Sequence, residues 1–301
     1  MAGINGDGPV TVFAPTPKGD AKDQGRLIVV SHGSGGNPRG HADLIRALRE
    51  AGYTVAMPEH FEDNTRDPSN PGPDSWRRRP AEVSRAIDAV AADPALAATL
   101  QLDRVGMYGM SAGGHTALSL AGGVWSPDRF RQHCADHLEA DFQACVGLIT
   151  RQRGNALDGL KRWVATKVIA WRFSDPTLQQ HSDPRIAAVA AAVPAAADFD
   201  PASLAVPKVP LALLTARQDA WLIPRFHSDR ILAACLPRCE HLADLPTAGH
   251  GAYLSPLPPG LTGLLGNLLN DPPGFDRSVL PTVDAKVVDF FNRHLRAQAK
   301  P

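Results

Sequence analysis

The sequence predicts an α/β fold in which a mostly parallel central sheet is flanked by helices and interrupted by a helical cap insertion. Three observations carry this. LIVV and the core of VPLALLTAR are continuous aliphatic runs, which mark strands buried on both faces. Strand-like and amphipathic helix-like segments alternate along the chain. Residues 124–183 hold helix-like stretches without a convincing buried strand, so they are expected to cap a core made of residues 1–123 and 184–301.

In chain order, PVTVFAPT alternates apolar and polar residues and ends at proline, which suits an outer strand. GRLIVVSHGSGG is a buried strand running into a glycine-rich loop. HADLIRALREAG puts Leu44, Ile45 and Leu48 on one helical face and stops at Gly52. YTVAMPEH is the next strand, PAEVSRAIDAVAAD an amphipathic helix, and DRVGMYGM a strand leading into a helix that begins at Ser111. Within the insertion LDGLKRWVATKVIAWRF is helical, and its aromatics, with Trp125, are expected mostly in packing. DPRIAAVAAAVP and VPLALLTAR are two further buried strands, EHLADLP another, and PTVDAKVVDFFNRHL a closing helix.

Composition narrows the partners. With 31 basic and 31 acidic residues the formal charge is zero, so no broad field draws nucleic acid or an anionic surface, and a small-molecule ligand is the default partner. No apolar run is long enough to cross a bilayer. MAGINGDGPVTV has no basic region followed by an apolar core, so no signal peptide is read at its start. The four cysteines fall as two close pairs, Cys134 with Cys145 and Cys235 with Cys239. Such pairs suit disulfides and a periplasmic or secreted protein; reduced thiols in a cytoplasmic one are the alternative. A metal reading of His133, Cys134 and His137 lacks a completing ligand pair, and no cofactor is expected.

The chemistry centres on GMSAG. Gly109, Ser111 and Gly113 match G-x-S-x-G between a strand and a helix, where the turn is so tight that small residues must flank the serine. A serine hydroxyl needs a base to take its proton and an acid to orient that base. Asp219 follows a buried strand in ARQDAWLIP, and His250 lies in PTAGHGAYL, where Gly249 and Gly251 give a loop freedom to aim an imidazole. Asp198 is the alternative acid. His241 is the alternative base, although it lies within a strand. His32 adjoins the glycine loop and His115 lies inside the helix after Ser111. The developing oxyanion needs backbone N–H donors, for which Ala112 and Ser34 are the candidates. Trp76, Trp125 and Trp221 are candidate substrate contacts. Arg77, Arg78 and Arg79 read as a solvated turn anchoring a helix start, with an anion site as the alternative.

HGSGG, GMSAGG, ARQDAWLIP and AGHGAYL, in this order, resemble the α/β-hydrolase superfamily. HGSGG through AGYTVAMPEHFED, with WRRRPAEVSRAIDAV, is most similar to the branch that groups predicted dienelactone hydrolases with platelet-activating-factor acetylhydrolase-like esterases. The resemblance implies an α/β-hydrolase fold and a serine carboxylesterase working through an acyl-enzyme on a small or medium neutral ester with an apolar part. True dienelactone hydrolases carry a cysteine nucleophile where this chain has Ser111, so lactone hydrolysis is not implied. The same triad would also serve an amidase or acyltransferase. Two readings from other classes stand against it. A non-catalytic hydrolase-like binding protein would be expected to have lost a triad member. A dinucleotide-binding oxidoreductase would use Gly33, Gly35 and Gly36 with Glu59, but proline stands at position 38 where a small residue is needed.

Overall fold

The computed structural model describes the chain except residues 4–6, 23, 258–259 and 297–301. Nine strands are present among the described residues: β1 Val10–Phe13, β2 Arg26–Ser31, β3 Tyr53–Pro58, β4 Val105–Met110, β5 Val124–Trp125, β6 Ile186–Ala192, β7 Phe199–Asp200, β8 Leu211–Ala216 and β9 Glu240–Leu245. Seven form one sheet in the order β1-β3-β2-β4-β6-β8-β9. Only β1, at the edge, runs antiparallel.

The alternation of side chains along each strand splits the core into two layers. Leu27, Val29, Val105, Met107, Leu211 and Leu213 face one layer. Their neighbours Ile28, Val30, Tyr108, Met110, Ala212 and Leu214 face the other. The first layer is covered by helices α2 (Pro73–Ala91), α4 (Ala112–Leu120) and α8 (Ser228–Cys235), reached after α1 (Ala42–Glu50) and the short α3 (Pro94–Ala97). The second is covered by α1 and the closing helix α10 (Leu280–Leu295), which presents Val283, Val287, Phe290 and Phe291. A continuous run such as LIVV therefore serves both layers at once. Each of its four side chains is wholly buried, which contributes about 2 kcal/mol apiece.

Two sequence expectations change. The helix expected to open at Pro80 begins at Pro73, so the three arginines lie inside it. Pro73 occupies the first turn, where a missing N–H costs nothing, and Pro80 sacrifices a single helical hydrogen bond. Residues 124–183 also contain a strand: β5 pairs antiparallel with β7, and Trp125 bridges to Gln179. Helices α5 (Pro127–His137), α6 (Phe142–Val146) and α7 (Leu157–Arg172) complete this segment, sharing an apolar cluster built on Phe130, Leu138, Phe142 and Ile169. A disulfide joins Cys134 of α5 to Cys145 of α6, and a second joins Cys235 to Cys239. Cys134 is thus no free thiolate for a metal. A short helix α9 (Gly263–Leu269) precedes α10. No helix among the described residues is long and apolar enough to cross a membrane.

Candidate active site

Ser111 sits where β4 ends and α4 begins, with φ 59° and ψ −117°. A non-glycine residue with positive φ is strained, and here the close approach of neighbouring backbone imposes it. A Cβ at Gly109 would lie 1.9 Å from the Gly113 carbonyl oxygen, and one at Gly113 would lie 2.0 Å from that of Ser31. The two glycines of the motif therefore let the turn close.

The structure brings Ser111, His250 and Asp219 together from three separate loops. His250 Nε2 lies 3.0 Å from Ser111 Oγ, and His250 Nδ1 lies 2.7 Å from Asp219 Oδ2. A carboxylate only accepts, so Nδ1–H donates to Asp219 and Nε2 is left to accept from the serine hydroxyl. The other oxygen of Asp219 accepts the N–H groups of Trp221 and Leu222, both at 2.8 Å, which lock the acid onto its own turn. His250 opens a short 3-10 turn, His250–Tyr253, and is buried. The sequence reading expected the glycine after it to give the loop freedom, but Gly251 serves close packing instead. A Cβ at Gly251 would stand 1.9 Å from the Leu269 carbonyl oxygen, so the glycine admits a tight contact with the end of α9.

The other candidates lie elsewhere. Asp198 pairs with His115 at 3.0 Å in a separate buried pair. His241 is held in β9 with Nε2 3.2 Å from Thr215 Oγ1. Glu59 pairs with Arg66. Trp221 sets its ring 5.2 Å from that of His250. Trp76 is half-buried and stacks on His115, centroids 4.9 Å apart. Trp125, a candidate substrate contact by sequence, is only 1% exposed; it packs edge-on against Trp76 and His115 and offers no surface to a ligand. Trp163 and Trp171, expected in packing, are instead exposed on α7.

The loop after β2 runs directly beside the serine. A Cβ at Gly33 would stand 3.3 Å from the Ser111 Cβ. Among the described residues, neither the Ser34 N–H nor the Ala112 N–H donates to an acceptor in the chain.

Around that loop lies a polar layer that sequence reasoning missed. Arg79 is no solvated turn residue: it is wholly buried, as is Asp63, and the two pair at 2.8 Å. Beside them Ser31 Oγ, His60 and Glu82 form a buried relay, with Ser31 Oγ 2.7 Å from His60 Nε2 and His60 Nδ1 2.5 Å from Glu82. Burial holds His32 and His60 well below the ordinary imidazole range and raises Glu82, so both histidines are neutral near pH 7. The available signal was periodicity. Arg79 precedes Val83, Ala86 and Val90 on one helical face, which becomes visible once the helix is continued through Pro80.

A scan of the sequence against protein-family models finds no match, and no curated protein matches it. In three dimensions the chain is similar to a ferulic acid esterase from Streptomyces cinnamoneus, with a TM-score of 0.55 and 17% identity. The match covers 96% of this chain and 70% of that one. At that identity the likeness concerns the fold: a seven-stranded, mostly parallel sheet flanked by helices, matching an esterase α/β fold.

Proposed function

We propose that the chain is a serine carboxylic-ester hydrolase in which Ser111 is the nucleophile, His250 the general base and then acid, and Asp219 its orienting carboxylate. The observation that carries this reading is the hydrogen-bonded series from Ser111 through His250 to Asp219, at 3.0 and 2.7 Å, hung on a strained turn. Attack of Ser111 Oγ on an ester carbonyl carbon passes the hydroxyl proton to His250 Nε2, and Asp219 stabilises the resulting imidazolium. The carbonyl oxygen takes up negative charge and accepts the free N–H groups of Ala112 and Ser34. His250 then protonates the departing alkoxide. In the second half-reaction it removes a proton from water, which attacks the acyl-enzyme and restores Ser111.

Trp221 beside His250 supplies an apolar wall, in keeping with a small or medium neutral ester. The segment 124–183 is read as a cap, and substrate choice as residing partly in it. The quoted motifs favour the dienelactone-hydrolase-like branch with serine in the nucleophile position, and the fold likeness to a ferulic acid esterase agrees with ester chemistry. The two disulfides favour an exported protein.

The test is a comparison of short p-nitrophenyl esters with matched anilides. Saturable ester turnover that exceeds anilide turnover is expected. Turnover of anilides alone would reassign the site to amide hydrolysis, and turnover of neither would contradict catalysis on small acyl compounds.

A further inference from the structure

The buried pair Arg79–Asp63 grips the loop after β2 on both sides of one peptide group. Arg79 Nη1 donates to the His32 carbonyl at 2.6 Å, while its Nη2 reaches Asp63 Oδ2 at 2.8 Å. Asp63 in turn accepts from Ser34 Oγ at 3.2 Å and from the Gly35 N–H at 3.1 Å. Ser75 ties the pair to α2, donating its hydroxyl to Asp63 at 2.6 Å and accepting Arg79 Nε at 3.0 Å. The peptide between these anchors, joining Gly33 to Ser34, is itself held by its oxygen. The Gly33 carbonyl accepts from His32 Nδ1 at 2.7 Å and from the Gly36 N–H at 3.0 Å. In a trans peptide the N–H points opposite to the C=O, so two donors on the Gly33 oxygen fix the direction of the Ser34 N–H.

A surface loop rich in glycine needs no such apparatus for stability. Burying an ion pair costs desolvation, and an apolar pair of similar volume is often as stable or more so. What the pair does supply is direction for the free N–H of Ser34, which follows the Gly33 that abuts Ser111. Loss of Arg79 or Asp63 frees the His32 carbonyl or the Ser34 hydroxyl and Gly35 N–H. The two donors on the Gly33 oxygen, which come from His32 and Gly36, then lose their own anchors, and the peptide between them can rotate.

We infer that Arg79 and Asp63 are positioning residues for the oxyanion hole, acting through His32, Ser34 and Gly35 to hold the Ser34 N–H toward the reacting carbonyl. The inference rests on the hydrolase reading above and adds to it the residues that set one of its two donors. Such residues touch no substrate. Their loss should therefore weaken transition-state binding and leave ground-state binding nearly unchanged.

The direct test is the double variant Asp63→Asn/Arg79→Met, which removes both charges together so that neither is left buried alone. Its kcat is expected to fall about 100-fold, the scale of one lost oxyanion donor, with KM within about twofold. Affinity for a boronic acid, whose tetrahedral adduct on serine mimics the intermediate, is expected to fall in step with kcat. A folded double variant with kcat within about threefold of wild type, or with kcat lowered but boronate affinity intact, overturns the inference. Should the double variant not fold, Ser34→Ala removes only the hydroxyl held by Asp63 and retains the backbone donor. It is expected to keep its melting temperature and lose about fivefold in kcat, and an unchanged kcat there also overturns the inference. Wild-type protein that neither hydrolyses esters nor binds boronate defeats the hydrolase reading itself, an outcome distinct from active wild type with indifferent variants.

Discussion

Gly113 stands against the carbonyl oxygen of Ser31, so close that a methyl group on Gly113 would lie 2.0 Å from it. The contact joins the first turn of α4 to the end of β2, and it brings the Ser111 turn and the glycine loop into one rigid corner. Gly113→Ala is expected to destabilise the fold by about 3 kcal/mol, since backbone rather than a flexible side chain would have to move. Chemical denaturation measures this, and a loss under about 1 kcal/mol would show that the corner is looser than the geometry requires.

Ser111 carries both the proposed chemistry and a strained backbone, and two substitutions separate these. Ser111→Ala and Ser111→Gly are each expected to lower ester turnover by more than about a thousandfold, the usual size of a triad loss. Glycine adopts φ 59° without steric cost, so Ser111→Gly is expected to be more stable than Ser111→Ala by about 1 kcal/mol. Equal stability of the two would argue against strain at this position.

Much of this was legible in the sequence where the pattern is local. Continuous aliphatic runs identified the buried strands, because a parallel sheet covered on both faces has no polar side to display. Ser111 and Asp219 could be named as candidates because each follows a buried strand, and His250 because it falls in a glycine-flanked loop late in the chain. The Arg79–Asp63 pair was not. Arg79 stands among three arginines that look solvated, and Asp63 lies in an irregular loop whose path no periodicity reveals. Strands of two residues, such as β5 and β7, carry too little pattern to be read at all. Trp125 was read both ways for a related reason: an aromatic in residues 124–183 can equally face a ligand or pack within the protein, and here it seals the junction with Trp76 and His115, as the packing reading expected.

Burial lowers His41 to about 4, so the folded protein resists a proton that the unfolded chain accepts below its ordinary value of about 6.5. The unfolded state binds more protons in that window. Stability from this group is therefore full above pH 6.5 and is lost progressively as pH falls toward 4, by about 3 kcal/mol in all. Comparison with His41→Leu isolates it from Asp284, which burial pushes up to about 6 and which acts in the opposite sense. The stability difference between wild type and His41→Leu is expected to shift by about 2–3 kcal/mol in favour of the variant from pH 7.5 to pH 4.5, as read by urea unfolding. A constant difference would show that His41 titrates normally.

The Cys134–Cys145 bridge closes a short loop between α5 and α6, at a sequence separation of 11. By chain entropy such a loop contributes about 3 kcal/mol. Replacing both cysteines by serine is expected to lower stability by about 2–3 kcal/mol while leaving the Ser111–His250–Asp219 geometry and ester turnover in place. Thiol labelling of the denatured, nonreduced protein should find no free thiol. Four labelled cysteines would remove both bridges and with them the case for an exported protein.

The most direct measurement is covalent trapping with a fluorophosphonate followed by peptide mass mapping, because an unactivated serine reacts negligibly and only a site with nucleophile, base and oxyanion donors in register captures the phosphorus. A single adduct on Ser111 is expected, abolished by His250→Ala. An adduct on another residue, or an unlabelled Ser111 in folded protein, would contradict the assignment of this serine as the nucleophile.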